Sequence, residues 1–370
     1  MYIFRLLICL LVILLHLNSM GLTVEASSPV NILSSLIKQK EQAVNQHDWS
    51  RYVSILHPDH PYYIQEQKRW FFDTIQYIDP GSYQINLLSV ISQSDQQIDV
   101  WVQQSYKRNG KLFTIKYPLR FVKTHLGFKD ADLAFHQIQS DSIVVRFSDS
   151  KLKEQGKLAL DTLKKAIFLL SSKYHWRPKR IEVKLYHHPE IFRQSVKPSL
   201  PKWAIGWHEA DQAIKFVAEG MDKKELAFGL IHELVHQMVS EITNDNASYW
   251  LQEGAATYYE KNLLSKPMSG KIIRTPLIGL DRLEKIRLEK LPMHQAHLYY
   301  QSCYHLFDFM VQEYGEKQMR RFFTFLGKFP KLDCESSEKI KTTNWRTRKG
   351  IDHVWGISVE ELSKKWLNHS

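Results

Sequence analysis

The chain has 370 residues, of which 44% are hydrophobic, 12% aromatic and 24% charged, with only 3 Cys. That length leaves room for about two to three domains at roughly 150 residues each, and the composition excludes a disordered tail, a collagen-like repeat, a polytopic membrane protein and a disulfide-dense scaffold. Lys and Arg outnumber Asp and Glu by 50 to 39, a net charge of +11, which suits an anionic partner such as a membrane surface or a cell-surface polymer; the cations are spread along the chain without a nucleic-acid-binding signature, so nucleic acid is not expected.

The chain opens with a short basic start, Met1 to Arg5, then an apolar run from Leu6 to Leu15, then polar Asn18 and Ser19. The run is shorter than the ~17–25 residues of a spanning helix. Val24-Glu25-Ala26 sets small residues where a signal peptidase cuts, so residues 1–26 read as a signal peptide and Ser27 as the mature start, with an uncleaved anchor as the competing reading. Both readings predict a secreted or extracytoplasmic, surface-associated protein. Cys9 leaves with the signal; Cys303 and Cys334 remain, and a disulfide and two buried thiols are both open.

Residues 30–78 read as helices, because Leu33, Leu36, Ile37, Val44, Trp70, Phe71 and Ile75 recur at helical spacing. From Tyr83 the apolar period falls to two, through Ile85, Leu87 and Ile91, then Ile98, Val100 and Val102, then Phe113, Ile115, Tyr117, Leu119 and Phe121, with turns at Asp79-Pro80-Gly81 and Asn109-Gly110. Residues 27–139 therefore form an expected accessory α+β domain. Its order of helices and meander resembles the nuclear transport factor 2-like cone fold, a resemblance of element order without a motif, which implies either a stability and orientation module or a ligand-binding cone.

Residues 140–370 form the second expected unit. Strands are predicted at 143–147, 181–186 and 213–218, with an amphipathic helix at 156–174, followed by helices at 223–242, 247–263, 298–314, 317–326 and 359–367. A strand-rich part followed by a helical part predicts an α+β domain with its active site between a mixed-sheet lobe and a helical lobe.

The chemistry is concentrated in His232-Glu233-Leu234-Val235-His236, inside a helix that Asp222 and Glu225 are placed to cap and that carries the apolar stripe Leu226, Leu230, Ile231, Leu234, Val235, Met238 and Ile242. Two His at i and i+4 share one face and reach one metal ion, with Glu233 beside them at the water that the ion activates. Gly229, one turn earlier, is expected to leave that face open. Among 17 His in the chain such a pattern arises by accident about once in a few dozen chains, so the next helix is the test. It supplies Trp250-Leu251-Gln252-Glu253-Gly254-Ala255-Ala256-Thr257-Tyr258-Tyr259-Glu260, after a turn through Asn244-Asp245-Asn246. One turn into that returning helix, Glu253 comes back to the His pair. His232, His236 and Glu253 thereby make a three-ligand site with one open position, the arrangement of a catalytic Zn2+, one per chain. Gly254 is expected to allow close packing on the metal helix, Thr257 and Glu260 are candidates to steady the ligands, and Trp250 and Leu251 read as core.

These two helices resemble the gluzincin metallopeptidases, specifically the aminopeptidase N-like branch with its peptidase MA-like relatives, whose W-L-x-E-G-x-A-[ST]-Y-x-E helix is matched almost throughout. The resemblance implies a zincin catalytic domain of thermolysin-like topology and a zinc-dependent metallopeptidase that hydrolyses peptide or protein substrates with a metal-activated water, Glu233 acting as general base. It also aligns Tyr299-Tyr300-Gln301-Ser302-Cys303-Tyr304 with the family segment that carries a catalytic tyrosine, which by that alignment is Tyr300, stabilising the oxyanion. Relatives that remove single N-terminal residues carry Gly-x-Met-Glu-Asn upstream of the metal helix. Here Gly206 and Glu209 match while His208 and Ala210 depart, so Glu209 reads either as an amine-binding residue or as a strand-edge residue beside the cleft. His187, His188, His208, His294 and His297 read as ordinary loop or surface residues. The rival to a peptidase is a catalytically silent zincin-fold binding or scaffold protein at the cell surface.

Overall fold

In a computed structural model, residues 29–264, 277–332 and 337–369 are described; the expected signal segment with Cys9 and the Ser27 start, and Cys334, lie outside the described residues. Helices α1 (Pro29–Asn45), α2 (Trp49–Ile55) and α3 (Pro61–Tyr77) come first. Asp48 starts α2 by accepting the Arg51 N–H, and Pro61 starts α3 with a φ already suited to a helix. Strands β1 (Gln84–Gln93), β2 (Gln97–Arg108), β3 (Lys111–Thr124) and β4 (Gly127–Leu133) follow as an antiparallel meander in the order β1-β2-β3-β4. The tight β2–β3 turn uses Asn109 and Gly110 at φ 48° and 75°, the left-handed pair a two-residue hairpin needs, and the Asp79 carboxylate accepts both turn N–H groups at 2.8 Å.

The second sheet begins before Ser140. Its strands are β5 (His136–Ser140), β6 (Ile143–Phe147), β7 (Ile181–Tyr186), β8 (Gly206–Trp207) and β9 (Ile214–Val217), in the order β5-β6-β7-β9-β8. The inner pairings β6–β7 and β7–β9 are parallel, and both edge strands run antiparallel. Helix α4 (Lys153–Tyr174) makes the crossover from β6 to β7, the connection a parallel pair requires. All six residues of β7 are buried, because both faces of the sheet are covered. On one face Val183 and Leu185 join the core built with α4 and the helices that follow; on the other Tyr186 joins the core of the first sheet.

That second contact unites the two parts. Lys184 of β7, 1% exposed, reaches Glu66 of α3 and Asp132 of β4, each at 2.5 Å. Lys215 of β9 lies 3.5 Å from the same Glu66 oxygen and donates to the Ser195 carbonyl at 3.0 Å. Two buried ammoniums of the second sheet are thus balanced by two carboxylates of the first unit, as buried charge requires. Helix α5 (Pro189–Val196) extends the seam: Phe192 is fully buried in the first unit's core, and Gln194 donates to Tyr106 and accepts from Gln104. The space left inside the first sheet, between Lys40, Tyr52, Tyr117 and Gln194, is about 30 Å3, room for about one or two waters.

The remaining chain is helical: α6 (Lys223–Thr243), α7 (Tyr249–Asn262), α8 (Leu280–Leu283), α9 (Met293–Leu326), α10 (Ser337–Trp355) and α11 (Val359–His369). The two helices expected at 298–326 are one run broken at Gly315, whose φ of 77° and ψ of 157° interrupt it. The whole is a mixed α+β fold. Among the described residues no helix is long and apolar enough to cross a membrane.

Candidate metal centre and cleft

Helix α6 starts on a complete capping box: Asp222 accepts the Lys224 and Glu225 N–H groups at 2.7 and 2.8 Å, and Glu225 accepts the Asp222 N–H. Its stripe of Leu226, Leu230, Ile231, Leu234, Val235 and Met238 is fully buried, which turns His232, Glu233 and His236 toward the cleft. Asn244 and Asp245, both at positive φ, end the helix, and Asn246 ties the turn to the Phe329 carbonyl at 3.0 Å. Helix α7 then returns, anchored by buried Trp250 and Leu251, and delivers Glu253.

The ligating atoms of His232, His236 and Glu253 all lie within 4.8 Å of one another. The two Nε2 atoms are 3.1 Å apart, and each is 3.4 Å from Glu253 Oε2, a buried oxygen with no properly directed hydrogen bond. Tetrahedral zinc with bonds of ~2.0–2.1 Å separates its ligand atoms by about 3.3–3.4 Å. The chemistry and spacing of this set therefore fit zinc. Burial would raise the Glu253 carboxyl, but the His236 and His232 imidazoles outweigh it and hold it down to about 2, so it is an anion. Glu260, two turns further along α7, accepts from His232 Nδ1 at 3.0 Å and fixes that ring with Nε2 toward the ligand set. Thr257 Oγ1 is buried without a partner.

Glu233 is 8% exposed. Burial pushes its carboxyl above the ordinary glutamate value, opposed by His236 and His232, the direction that makes a carboxylate a better proton acceptor. The Tyr300 ring stands 6.0 Å from the His232 ring. Burial, then the charges of Glu253 and Glu233, push its hydroxyl well above the usual tyrosine value, so it keeps its proton and can donate. Its neighbours are placed differently: Tyr299 is fully buried in the core, and Tyr304 stacks on Tyr258 under Lys261. Cys303 is a buried free thiol.

Two glycines have roles that their sequence context did not suggest. A Cβ on Gly229 would overlap the Phe216 ring of β9, so this residue, which lines the cleft beside the metal set, also seats the sheet on the helix. A Cβ on Gly254 would lie 2.6 Å from the Cys303 carbonyl oxygen and 3.0 Å from Phe307 Cβ. The close approach it allows is to α9, the helix that carries Tyr300, and not to α6. Gly206 is as constrained, since its Cβ would fall 2.5 Å from Glu233 Oε1.

The segment after Gly206 forms the cleft edge. His208 is not an ordinary surface residue: it lines the cleft, its Nε2 is enclosed without a partner, and burial followed by the nearby His236 lowers its imidazole to about 3. Glu209 also lines the cleft. Sequence reading missed the opposite wall, where α3 contributes Gln65, Lys68, Arg69 and Phe72. No local pattern marks a helix that meets its partners through tertiary packing alone.

A family model matches residues 164–369, that of the Peptidase MA superfamily. No curated protein matches the chain in sequence.

Proposed function

The chain belongs to the Peptidase MA superfamily, a zincin-like peptidase family that is generally zinc-dependent, and from that membership we propose that it is a gluzincin of the aminopeptidase N-like branch that hydrolyses peptide bonds in the cleft over α6. The observation that carries this reading is the convergence of His232, His236 and Glu253 with Glu233 beside them. Zinc bound there supplies Lewis acidity toward the scissile carbonyl and acidifies water. Glu233 takes a proton from the attacking water and delivers it to the leaving nitrogen, as the water oxygen bonds to the carbonyl carbon and the C–N bond breaks. Tyr300 donates its hydroxyl proton in a hydrogen bond to the oxygen on which negative charge develops. His232, His236 and Glu253 hold the ion, and Glu260 orients His232. Strand β8 is a sheet edge, which suits backbone pairing with an extended substrate.

In this reading the unit that begins with β5 at His136 is a thermolysin-like domain of two lobes, and the residues from 27 up to that strand are a cone-like module that orients it. Residues 1–26 direct export to an extracytoplasmic surface, where the net positive charge favours anionic polymer or lipid. The test is Glu233→Gln with metal analysis and a peptide-library assay: zinc stays at one per chain while hydrolysis falls by the ~10²–10⁴-fold of a lost general base. If the zinc-loaded wild type cleaves nothing in a broad library, the peptidase reading is wrong and a binding scaffold takes its place.

A further inference from the structure

The segment from Ser199 to Ala213 carries β8 past Glu233. A Cβ at Gly206 would fall 2.5 Å from Glu233 Oε1 and 2.8 Å from the Phe216 ring, so the chain at this point stands directly against the Glu233 carboxylate. Little within the segment fixes it there. Strand β8 is two residues long and pairs on one side only, with β9, and just before it the Ile205 carbonyl accepts the Val217 N–H at 2.8 Å. So short an edge strand has too few ladder bonds to set its own position.

Both ends of the segment are fastened to α3 of the first unit. At one end Asp73 accepts the Ser199 N–H at 2.9 Å and the Ser199 hydroxyl at 2.5 Å. At the other, Glu209 Oε1 accepts from Arg69 Nε and from Trp207 Nε1, both at 3.2 Å, and Glu66 Oε1 accepts the Ala213 N–H at 3.1 Å. Glu66, Arg69 and Asp73 follow one another at three and four residues, so they share one face of the helix, and over two turns they span roughly 10 Å. The segment thus leaves and returns to a single helix face, held at each end by hydrogen bonds to ionised carboxylates, the stronger kind.

We infer that α3 is a working part of the catalytic centre: it clamps the segment that bounds Glu233, and Asp73 is the positioning residue of that clamp, acting through Ser199 on the chain at Gly206. This rests on the peptidase reading above and gives the first unit a task within the reaction itself. Asp73 isolates the clamp, because Glu66 also balances two buried ammoniums of the second sheet.

The experiment compares zinc-loaded wild type with Asp73→Ala, Asp73→Asn, Ser199→Ala and the double variant Asp73→Ala/Ser199→Ala. Each is assayed on an internally quenched peptide chosen from the library and followed by hydrogen exchange with mass spectrometry, with zinc content and thermal midpoint recorded. Asp99→Ala is the control for lost stability: it removes a carboxylate paired with Arg120 at 2.8 Å in the first sheet, and Asp99 does not line the cleft. Asp73→Ala should lower kcat/KM by at least about tenfold, within the ~10²-fold that a displacement of ~1 Å costs, with kcat falling and KM rising; a smaller folded fraction lowers kcat alone. Exchange should quicken by about tenfold over residues 200–208, the order of one charge-assisted hydrogen bond, and stay as in wild type over residues 223–243. Asp73→Asn, whose amide accepts the N–H and donates to the hydroxyl, should stay within about threefold of wild type. Asp73→Ala should cost less in the Ser199→Ala background than alone.

An equal loss in Asp73→Asn and Asp73→Ala, without faster exchange over residues 200–208, would mean that the charge acts on the substrate directly; it would overturn the inference and leave the peptidase reading in place. Kinetics of Asp73→Ala equal to those of wild type or of Asp99→Ala would do the same. A zinc-loaded wild type that cleaves nothing overturns the peptidase reading, and with it the role assigned to Asp73.

Discussion

Glu66→Gln tests how the two halves of the molecule are held. The substitution keeps the size of the side chain and removes the carboxylate that Lys184 and Lys215 share, so of the ion pairs of these two ammoniums, 1% and 0% exposed, the Lys184–Asp132 pair is left, with Glu182 and Glu209 acting from further away. Breaking a buried pair from one side costs about 3–5 kcal/mol, because the surviving charge stays out of water without compensation. With an unfolding entropy of ~2.1 cal/mol/K per residue over roughly 340 residues, that corresponds to a fall of about 4–7 °C in Tm. Burial holds the Lys215 ammonium below the ordinary lysine value, Glu66 pulling it back up and Lys184 pushing it further down. Without the Glu66 charge it falls lower still. The unfolded chain then binds more protons than the folded one between the folded Lys215 value and the ordinary lysine value. Stability therefore rises with pH in that window, and the deficit of the variant should be smaller at pH 10 than at pH 7. Thermal unfolding by circular dichroism at the two pH values measures both. A shift below about 1 °C at pH 7, or a deficit that does not narrow at pH 10, would refute the reasoning.

Glu253→Ala should lower bound zinc well below one per chain, read by metal analysis after dialysis; unchanged content would remove Glu253 from the ligand set. Glu260→Gln weakens the partner of His232 Nδ1 and should reduce zinc affinity by the ~10–100-fold typical of such a contact, measured by competition with a chelating dye. Tyr300→Phe should lower kcat with little change in KM or zinc content, because its hydroxyl acts on charge present only in the transition state; normal turnover there with a loss in Tyr304→Phe would move the role. Mass spectrometry of exported protein should show Ser27 as the first residue, and an intact Met1 on membrane-retained protein would favour an anchor.

Local signals carried much of this structure. The apolar stripe of α6, its capping box and the returning helix all lie within about forty consecutive residues, so short-range periodicity was enough to bring two His and two Glu together. The exchange of Asn109 and Gly110 for a hairpin turn is legible for the same reason. Helix α10 is not legible, because its mean hydropathy is low and its apolar residues are sparse. Helix α5 is only eight residues, too short for a periodic signal. The meaning of Gly229 and Gly254 lay in side chains on other elements, Phe216 and Phe307, and that of Glu209 in Arg69, which belongs to a helix of the other unit. Such contacts are properties of the packed molecule, and no window along the chain contains both partners.

The seating of α5 in the first sheet imposes an order of events on a chain made from its amino end. Tyr186, Phe192, Val196, Leu200, Ala204 and Val217 are part of the core under that sheet, so a nascent chain that has reached only Leu133 has four paired strands with a gap where those side chains belong. It must stay incomplete, or be held by a chaperone, until β9 has been synthesised, and sequence-distant closure of this kind slows folding and exposes apolar surface meanwhile. Cutting the gene between the two sheets would yield fragments that each lack part of their interior. Threading an unfolded chain across a membrane, the route proposed for this protein, brings both parts out before either needs to be finished.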